Sequence, residues 1–213
     1  MKSSGMTLAI IGLVVGVIGG YLIPRSTPGT DQNETASVEH ASEMATEEPT
    51  SAAAPTTPDA KIANAISAAP AAIAKNATVL DWPAKEGDPL PTLRKGSNEW
   101  TCLPDFPTTP GNDPICADKT AMQWFNAYMS HKEPRLSQAG LAYMLQGGSD
   151  ASNVDPYAEA PKPGEDWMNA PAHIMIFPAG KLDAKVYGTD MESGGPWVMW
   201  ANTPYAHIMM PVK

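Results

Sequence analysis

Cysteine and basic residues are scarce in this chain, and both shortages exclude classes of function. The 213 residues include two cysteines, and no Cys-x-x-Cys pattern of the kind that redox sites, metal thiolate sites or haem attachment use is present. Lys and Arg number 14 against 23 Asp and Glu, which gives a net charge of −9. Nucleic-acid binding needs clustered basic residues, so it is excluded. Phosphate-binding and dinucleotide-binding glycine motifs are also absent from the sequence.

The acidic charge is concentrated in one segment. Residues 1–25 carry a net charge of +2, residues 26–60 carry −7, and residues 61–213 carry −4. Residues 26–60 contain no Lys or Arg and are rich in Thr, Ser, Ala and Pro. Apolar residues are too sparse there to offset the entropy of ordering the chain, so we predict a disordered acidic linker.

Residues 6–23 form an uncharged apolar run that predicts a membrane-spanning helix. The run is followed by neither an Ala-x-Ala cleavage pattern nor a cysteine for lipid attachment. We therefore assign residues 1–25 to an uncleaved N-terminal membrane anchor, with a signal segment that is cleaved late as the alternative. The positive-inside tendency, with Lys2 ahead of the run, predicts a single-pass inner-membrane protein whose C-terminal domain lies in the periplasm or outside the cell.

Three glycines recur at every fourth residue of this run, at Gly12, Gly16 and Gly20. Small residues at this spacing allow two membrane helices to approach closely. The pattern predicts a homodimer formed through the anchor. The alternative is that the anchor is simply rich in glycine.

Residues 61–213 are long enough for one globular domain, and their patterns predict an α+β fold. Ile62, Ile66 and Ala69 have helical spacing. A second short helix is predicted to have Ala69 as its cap and Pro70 at its first position, and to continue over 71–76. Asp118 is predicted to cap a third helix, whose apolar residues recur at Ala121, Met122, Phe125, Tyr128 and Met129. Short apolar runs bounded by Gly, Pro, Asn and Asp predict strands of a mainly antiparallel sheet at residues 78–82, 140–146, 173–177, 197–201 and 206–212.

The two cysteines, Cys102 and Cys116, flank a loop that contains four prolines. In an oxidising compartment this pair predicts a structural disulfide. A redox pair or a pair of metal thiolates is the functional alternative, although the spacing is typical of neither.

Two segments near the carboxyl end repeat each other. Residues 167–175 and 200–209 share Trp, Asn, Pro, Ala, His, Ile and Met in the same order, with one residue inserted in the second copy. Asn-x-Pro is a turn signal, so each copy is predicted to be a turn followed by a strand. Because residues i and i+2 of a strand share a face, His173 lies with Met175 and His207 lies with Met209.

If these strands are neighbours in similar register, the two imidazoles and two thioethers converge. Such soft ligands suit Cu(I), so His173, Met175, His207 and Met209 form a candidate copper site. The alternative is ordinary core packing, since Met fills irregular cores and a buried His often bonds a backbone carbonyl.

A polar loop supplies a second candidate ligand site, for which calcium is the cation considered. Oxygen-bearing side chains recur there at short intervals, as a hard cation would need, at Ser149, Asp150, Ser152, Asn153 and Asp155. The loop lacks the glycine and the late glutamate of an EF-hand, and Asx turns account for the same residues without a metal.

Ser149 also permits a hydrolase hypothesis. Ser149, Asp150 and either His173 or His207 supply the residue types of a catalytic triad. No Gly-x-Ser-x-Gly nucleophile motif accompanies them.

Four segments of the chain resemble an exported bacterial family of uncharacterised proteins. They read Thr-Cys-Leu-Pro-Asp at 101–105, Pro-Gly-Asn-Asp-Pro at 110–114, Tyr-Met-Leu-Gln-Gly-Gly-Ser-Asp-Ala-Ser-Asn at 143–153 and Gly-Gly-Pro-Trp-Val-Met-Trp at 194–200. The resemblance covers roughly residues 65–213 and leaves out the anchor and linker. It implies a periplasmic or cell-surface domain and implies no activity.

These observations lead to three functional hypotheses of decreasing weight. The first is a non-enzymatic, membrane-anchored domain outside the cytoplasm that binds a protein or small-ligand partner without a cofactor. The second is a Cu(I)-binding or copper-handling protein that uses the paired His and Met residues. The third is a serine hydrolase centred on Ser149.

Overall fold

The structure, a computed structural model, describes residues 54–85, 87–183 and 185–212. The predicted anchor, its three glycines and most of the predicted linker lie outside these residues. Within the described part of the chain, no helix combines the length and the apolar character that crossing a membrane requires.

Three short α-helices and ten strands make up the described domain. The helices are α1 (Pro58–Ser67), α2 (Ala71–Ala74) and α3 (Lys119–Met129), with a single 3₁₀ turn at Met191–Ser193. The strands are β1 (Thr78–Leu80), β2 (Thr92–Arg94), β3 (Thr101–Leu103), β4 (Ile115–Ala117), β5 (Gly140–Met144), β6 (Gly148–Asp150), β7 (Met168–Ala170), β8 (His173–Phe177), β9 (Trp197–Met199) and β10 (His207–Pro211).

Eight of these strands form one sheet in the order β2-β1-β3-β4-β5-β8-β10-β9, and β6 pairs with β7 in a separate hairpin. The β1–β3 pair is parallel, and every other pair in the eight-stranded sheet is antiparallel. The prediction of an α+β domain with a mainly antiparallel sheet and short helices is confirmed.

The two faces of the large sheet carry separate cores. On one face, α3 packs over β4, β5 and β8 and covers a core rich in aromatic residues and methionine. On the other face, α1 packs over β1 to β4 and covers a smaller core built mainly from alanines and the two cysteines. Because alternate residues of a strand point to opposite faces, one strand supplies residues to both cores.

The helix boundaries follow their caps. Thr57 accepts a hydrogen bond from the backbone of Ala60, so α1 begins at Pro58, three residues before the predicted domain boundary at 61. Pro70 is the cap of α2 rather than its first residue, so this helix begins one position later than predicted. It also ends early, at Ala74.

Asp118 caps α3 as predicted, since its carboxylate accepts a hydrogen bond of 2.7 Å from the backbone of Ala121. The buried stripe of this helix differs from the predicted one. Trp124 is 2% exposed in the centre of the core, whereas Met129 is 39% exposed. The helix is rotated so that its largest ring, rather than Met129, fills the space above the sheet.

The disulfide between Cys102 and Cys116 is present. The two residues are direct cross-strand neighbours on β3 and β4, with Cα atoms 4.0 Å apart. Both are fully buried beneath α1. The pair therefore links two strands inside the smaller core, where it serves as a structural crosslink.

Candidate functional site

The repeated segments of the sequence enter the large sheet as β8 and β10, which are adjacent and antiparallel. Met175 lies directly opposite Met209 at the centre of this pair. His173 is opposite Pro211 at one end, and His207 is opposite Met199 of β9 at the other. The structure therefore brings the two thioethers together and leaves one imidazole on each side of them. We call these four residues the imidazole–thioether cluster.

The cluster lies on the α3 face of the sheet, inside the aromatic core. Its four side chains are between 1% and 5% exposed. His207 packs against three aromatic rings, with centroid distances of 5.3 Å to Trp124, 5.2 Å to Phe177 and 5.1 Å to Trp200. This imidazole therefore also contributes to core packing.

Both histidines are held in the same tautomer by the backbone carbonyl two residues before them in the chain. The Nδ1 atom of His173 is 2.6 Å from the carbonyl oxygen of Pro171, and Nδ1 of His207 is 3.0 Å from that of Tyr205. A carbonyl oxygen only accepts, so each Nδ1 carries the hydrogen and donates it. Each Nε2 is then an unprotonated nitrogen with a free electron pair.

The Nε2 atom of His173 has no hydrogen-bond partner, although it is buried. Burial lowers the pKa of His173 and lowers that of His207 to about 4, where the nearby His173 adds a smaller effect of the same sign. Both imidazoles are therefore neutral at pH 7, which is the form that binds metals.

Trp197 lies beside the cluster on the edge strand β9, directly opposite Met209. It is fully buried, and its indole N–H has no partner. Trp197 is not among the site residues predicted from the sequence. The sequence feature that could have identified Trp197 is its position in the strand that precedes the second repeat.

A second, polar cluster is formed by the loop between β3 and β4 together with the β6–β7 hairpin. The carboxylate of Asp113 accepts hydrogen bonds from the hydroxyl of Thr109, the backbone of Ser149 at 2.7 Å and the hydroxyl of Ser149. The backbone of Asp113 in turn donates to Asp105 at 2.8 Å. Asp113 is thus the hub of this cluster, although it is not among the site residues predicted from the sequence. Its only signal was an Asp-Pro step inside the cysteine-flanked loop.

Three carboxylic acids meet at this polar cluster. Burial raises the pKa of Asp105 and of Asp113, and it raises the pKa of Asp150 to about 6. Hydrogen bonds from neighbouring backbone and hydroxyl groups offset part of this effect. Repulsion between Asp113 and each of the other two acids adds to it.

The residues of the predicted ligand loop make Asx and Ser turns. Asp150 accepts from the backbone of Ser152, and the hydroxyl of Ser152 accepts from the backbone of Asp155. Asp155 accepts from Tyr157, and the side-chain amide of Asn153 donates to the carbonyl of Thr189. Among residues 54–85, 87–183 and 185–212, no three His, Cys, Asp or Glu side chains are grouped so as to hold a metal ion.

The residues of the hydrolase hypothesis have other partners. The hydroxyl of Ser149 contacts Asp113 and accepts from the backbone of Gly111 at 2.9 Å. The imidazole of His173 bonds Pro171, and Asp150 bonds Ser152. None of these bonds connects a serine to an imidazole or an imidazole to a carboxylate, as a triad requires.

Comparison of the chain with protein-family models, with curated proteins and with solved structures gives no match. The resemblance to an exported bacterial family stays a prediction. Three of the four segments on which it rests nevertheless meet at the polar cluster, through Asp105, Asp113 and Ser149.

Proposed function

We propose that this chain is a membrane-anchored, extracytoplasmic binding domain without enzymatic activity, and that it associates with a second copy of itself. The observation that carries this proposal is a strip of partly exposed apolar side chains on the sheet face opposite α3. The strip consists of Leu141 on β5, Ile174 and Ile176 on β8, and Met210 on β10.

The apolar strip is one continuous surface. Leu141 is directly opposite Ile176, and Ile174 is directly opposite Met210. None of the four belongs to either buried core cluster, because α1 packs over β1 to β4 on this face. Contiguous apolar surface of this kind is typical of interaction sites.

A second copy is the proposed occupant because the anchor would hold two copies together. Gly12, Gly16 and Gly20 have the spacing of dimerising membrane helices. Tethering raises the effective concentration of one domain near the other to about the millimolar range. A contact worth about −4 kcal/mol, which corresponds to a millimolar Kd, is then sufficient. Burying a few side chains from each copy supplies free energy of that order.

A location outside the cytoplasm is proposed from two features that agree. An apolar run at residues 6–23 predicts export of the chain beyond it. The buried Cys102–Cys116 disulfide is typical of an oxidising environment. A reporter enzyme that is active only outside the cytoplasm, fused after Lys213, tests the topology. We expect this fusion to be active, and a fusion that is produced but inactive would contradict the proposal.

Co-isolation of two differently tagged full-length copies from membranes tests self-association. We expect the tagged copies to co-isolate. We also expect Ile176→Lys to abolish chemical cross-linking between their C-terminal domains, by placing a charge in the strip, while the anchors still hold the copies together. Val186→Lys is the matched control, because it changes an apolar residue that is 68% exposed in a loop outside the strip. Undiminished cross-linking between the domains of the Ile176→Lys variant, with its fold retained by circular dichroism, would refute the strip as the contact.

A further inference from the structure

The imidazole–thioether cluster combines features that core packing alone does not require. Two thioethers occupy directly opposite positions on neighbouring strands, at Met175 and Met209. His173 precedes Met175 by two residues and shares its face of the sheet. The site is thus assembled on regular strands, which hold side chains more precisely than loops do.

The unpartnered nitrogen of His173 is the feature that points to a ligand. A buried polar atom without a partner destabilises a fold by about 1–3 kcal/mol. His173 is 1% exposed and its Nε2 lacks any partner, while its Nδ1 is bound to the carbonyl of Pro171. A metal-binding imidazole has this arrangement, with one nitrogen free and the other fixed by a backbone carbonyl.

The types of ligand in the imidazole–thioether cluster indicate which metal it would bind. Thioether sulfur is a soft, neutral ligand, and neutral imidazole accepts copper readily, whereas hard cations need oxygen ligands. The cluster contains no carboxylate, and both cysteines are joined in the disulfide. A monovalent soft cation therefore fits, since three neutral ligands leave it a single charge to bury.

Trp197 adds a cation–π interaction to the candidate site. Its indole is the cross-strand neighbour of Met209, and it is fully buried. Aromatic rings attract cations through their electron-rich faces, and the effect is larger when water is excluded.

We propose that Met175, Met209 and His173 bind one Cu(I) ion inside the domain, with Trp197 beside it. His207 lies on the far side of the methionine pair and packs against Trp124, Phe177 and Trp200. This inference is independent of the apolar strip, which lies on the opposite face of the sheet.

Anaerobic titration of the full-length protein with Cu(I), in competition with a coloured Cu(I) chelator, tests the site. We expect one Cu(I) per chain with a Kd tighter than micromolar. We also expect X-ray absorption of the loaded protein to show both sulfur and imidazole nitrogen bound to the metal. Binding weaker than micromolar, or a metal without sulfur ligands, would overturn the proposal.

Near-isosteric variants separate ligation from packing. Met175→Leu and Met209→Leu keep a side chain of similar volume, so the fold is expected to tolerate them. Each should weaken Cu(I) binding at least about tenfold, which corresponds to 1.4 kcal/mol. Met210→Leu is the matched control, because Met210 adjoins Met209 on β10 but points to the opposite face. Equal affinities for all three variants and the parent protein would refute the assignment.

Discussion

Replacing Asp150 by Asn should stabilise the domain at neutral pH and have little effect in acid. Asp150 lies on β6 and accepts a hydrogen bond of 2.9 Å from the backbone of Ser152. An amide oxygen can accept that same bond, so the substitution removes the charge and keeps the turn. The nearby Asp113 also benefits, because the negative charge of Asp150 repels its own.

The size of this stability gain follows from the pKa of Asp150. Burial raises the pKa of Asp150 from its ordinary value of 3.8 to about 6, so the folded state binds this proton more tightly than the unfolded state. The contribution of Asp150 to the free energy of unfolding is therefore fully present below about pH 4 and is lost as the pH rises through about 6. The difference between the two pKa values corresponds to about 3 kcal/mol. Asp150→Asn should gain up to that amount at pH 7 and nothing at pH 3.5.

Urea unfolding followed by tryptophan fluorescence, at several pH values from 3.5 to 7.5, measures this effect. All six tryptophans lie between residues 82 and 200, so the signal reports the domain alone. Asp155→Asn is the matched control, because Asp155 makes the same kind of turn bond but is exposed. If the stability difference between Asp150→Asn and the parent protein does not change with pH, the burial argument is wrong.

Three further stability changes can be measured in the same assay. Reducing the disulfide between Cys102 and Cys116 should lower the free energy of unfolding by about 3 kcal/mol or less. The loss is limited because the prolines of the closed loop already stiffen the unfolded chain. An unchanged urea midpoint would contradict this. Asp118→Ala should lower the free energy of unfolding by about 2–4 kcal/mol, because this carboxylate caps α3 through one oxygen and accepts from the backbone of Leu141 at 3.0 Å through the other. Asp118→Asn should lose less, because its single amide oxygen can keep one of the two bonds; equal losses for the two variants would refute the role of these bonds. Gly140→Ala should destabilise by about 1–3 kcal/mol or more, because its Cβ would lie 2.5 Å from a backbone nitrogen of α3; a neutral effect would show that α3 moves away freely.

Elements with strong local signals could be predicted from the sequence. Asp118 identified the start of α3, and the apolar runs identified β5, β8, β9 and β10, with ends that differ by a few residues. β9 stops at Met199 because Trp200 has a φ of 53°, which ends the extended backbone. The predicted turn at Asn169 is wrong, since this residue lies within β7 and pairs with Ser149.

The elements that were missed owe their existence to distant partners. Strands β2, β3, β4, β6 and β7 have three residues each, too few to show any periodicity, and none of them lies within a longer apolar run, as the equally short β9 does. β3 and β4 are held as neighbours by the sheet and by the disulfide between Cys102 and Cys116. Asp113 became a hub only because the β6 hairpin folds back onto its loop, 36 residues away along the chain.

The candidate site shows which features of a site can be predicted from a sequence repeat and which cannot. The repeat predicted two His-x-Met strands on one sheet, but it did not distinguish parallel from antiparallel pairing. Antiparallel pairing of two copies relates them by a local two-fold axis, and here that axis passes between Met175 and Met209. Only residues at the axis meet their own counterpart, so the methionines pair directly while His173 and His207 lie on either side of them. A parallel arrangement would instead have paired like with like along the whole strand. The register therefore places the two thioethers at the centre of the cluster, with one imidazole on each side of them.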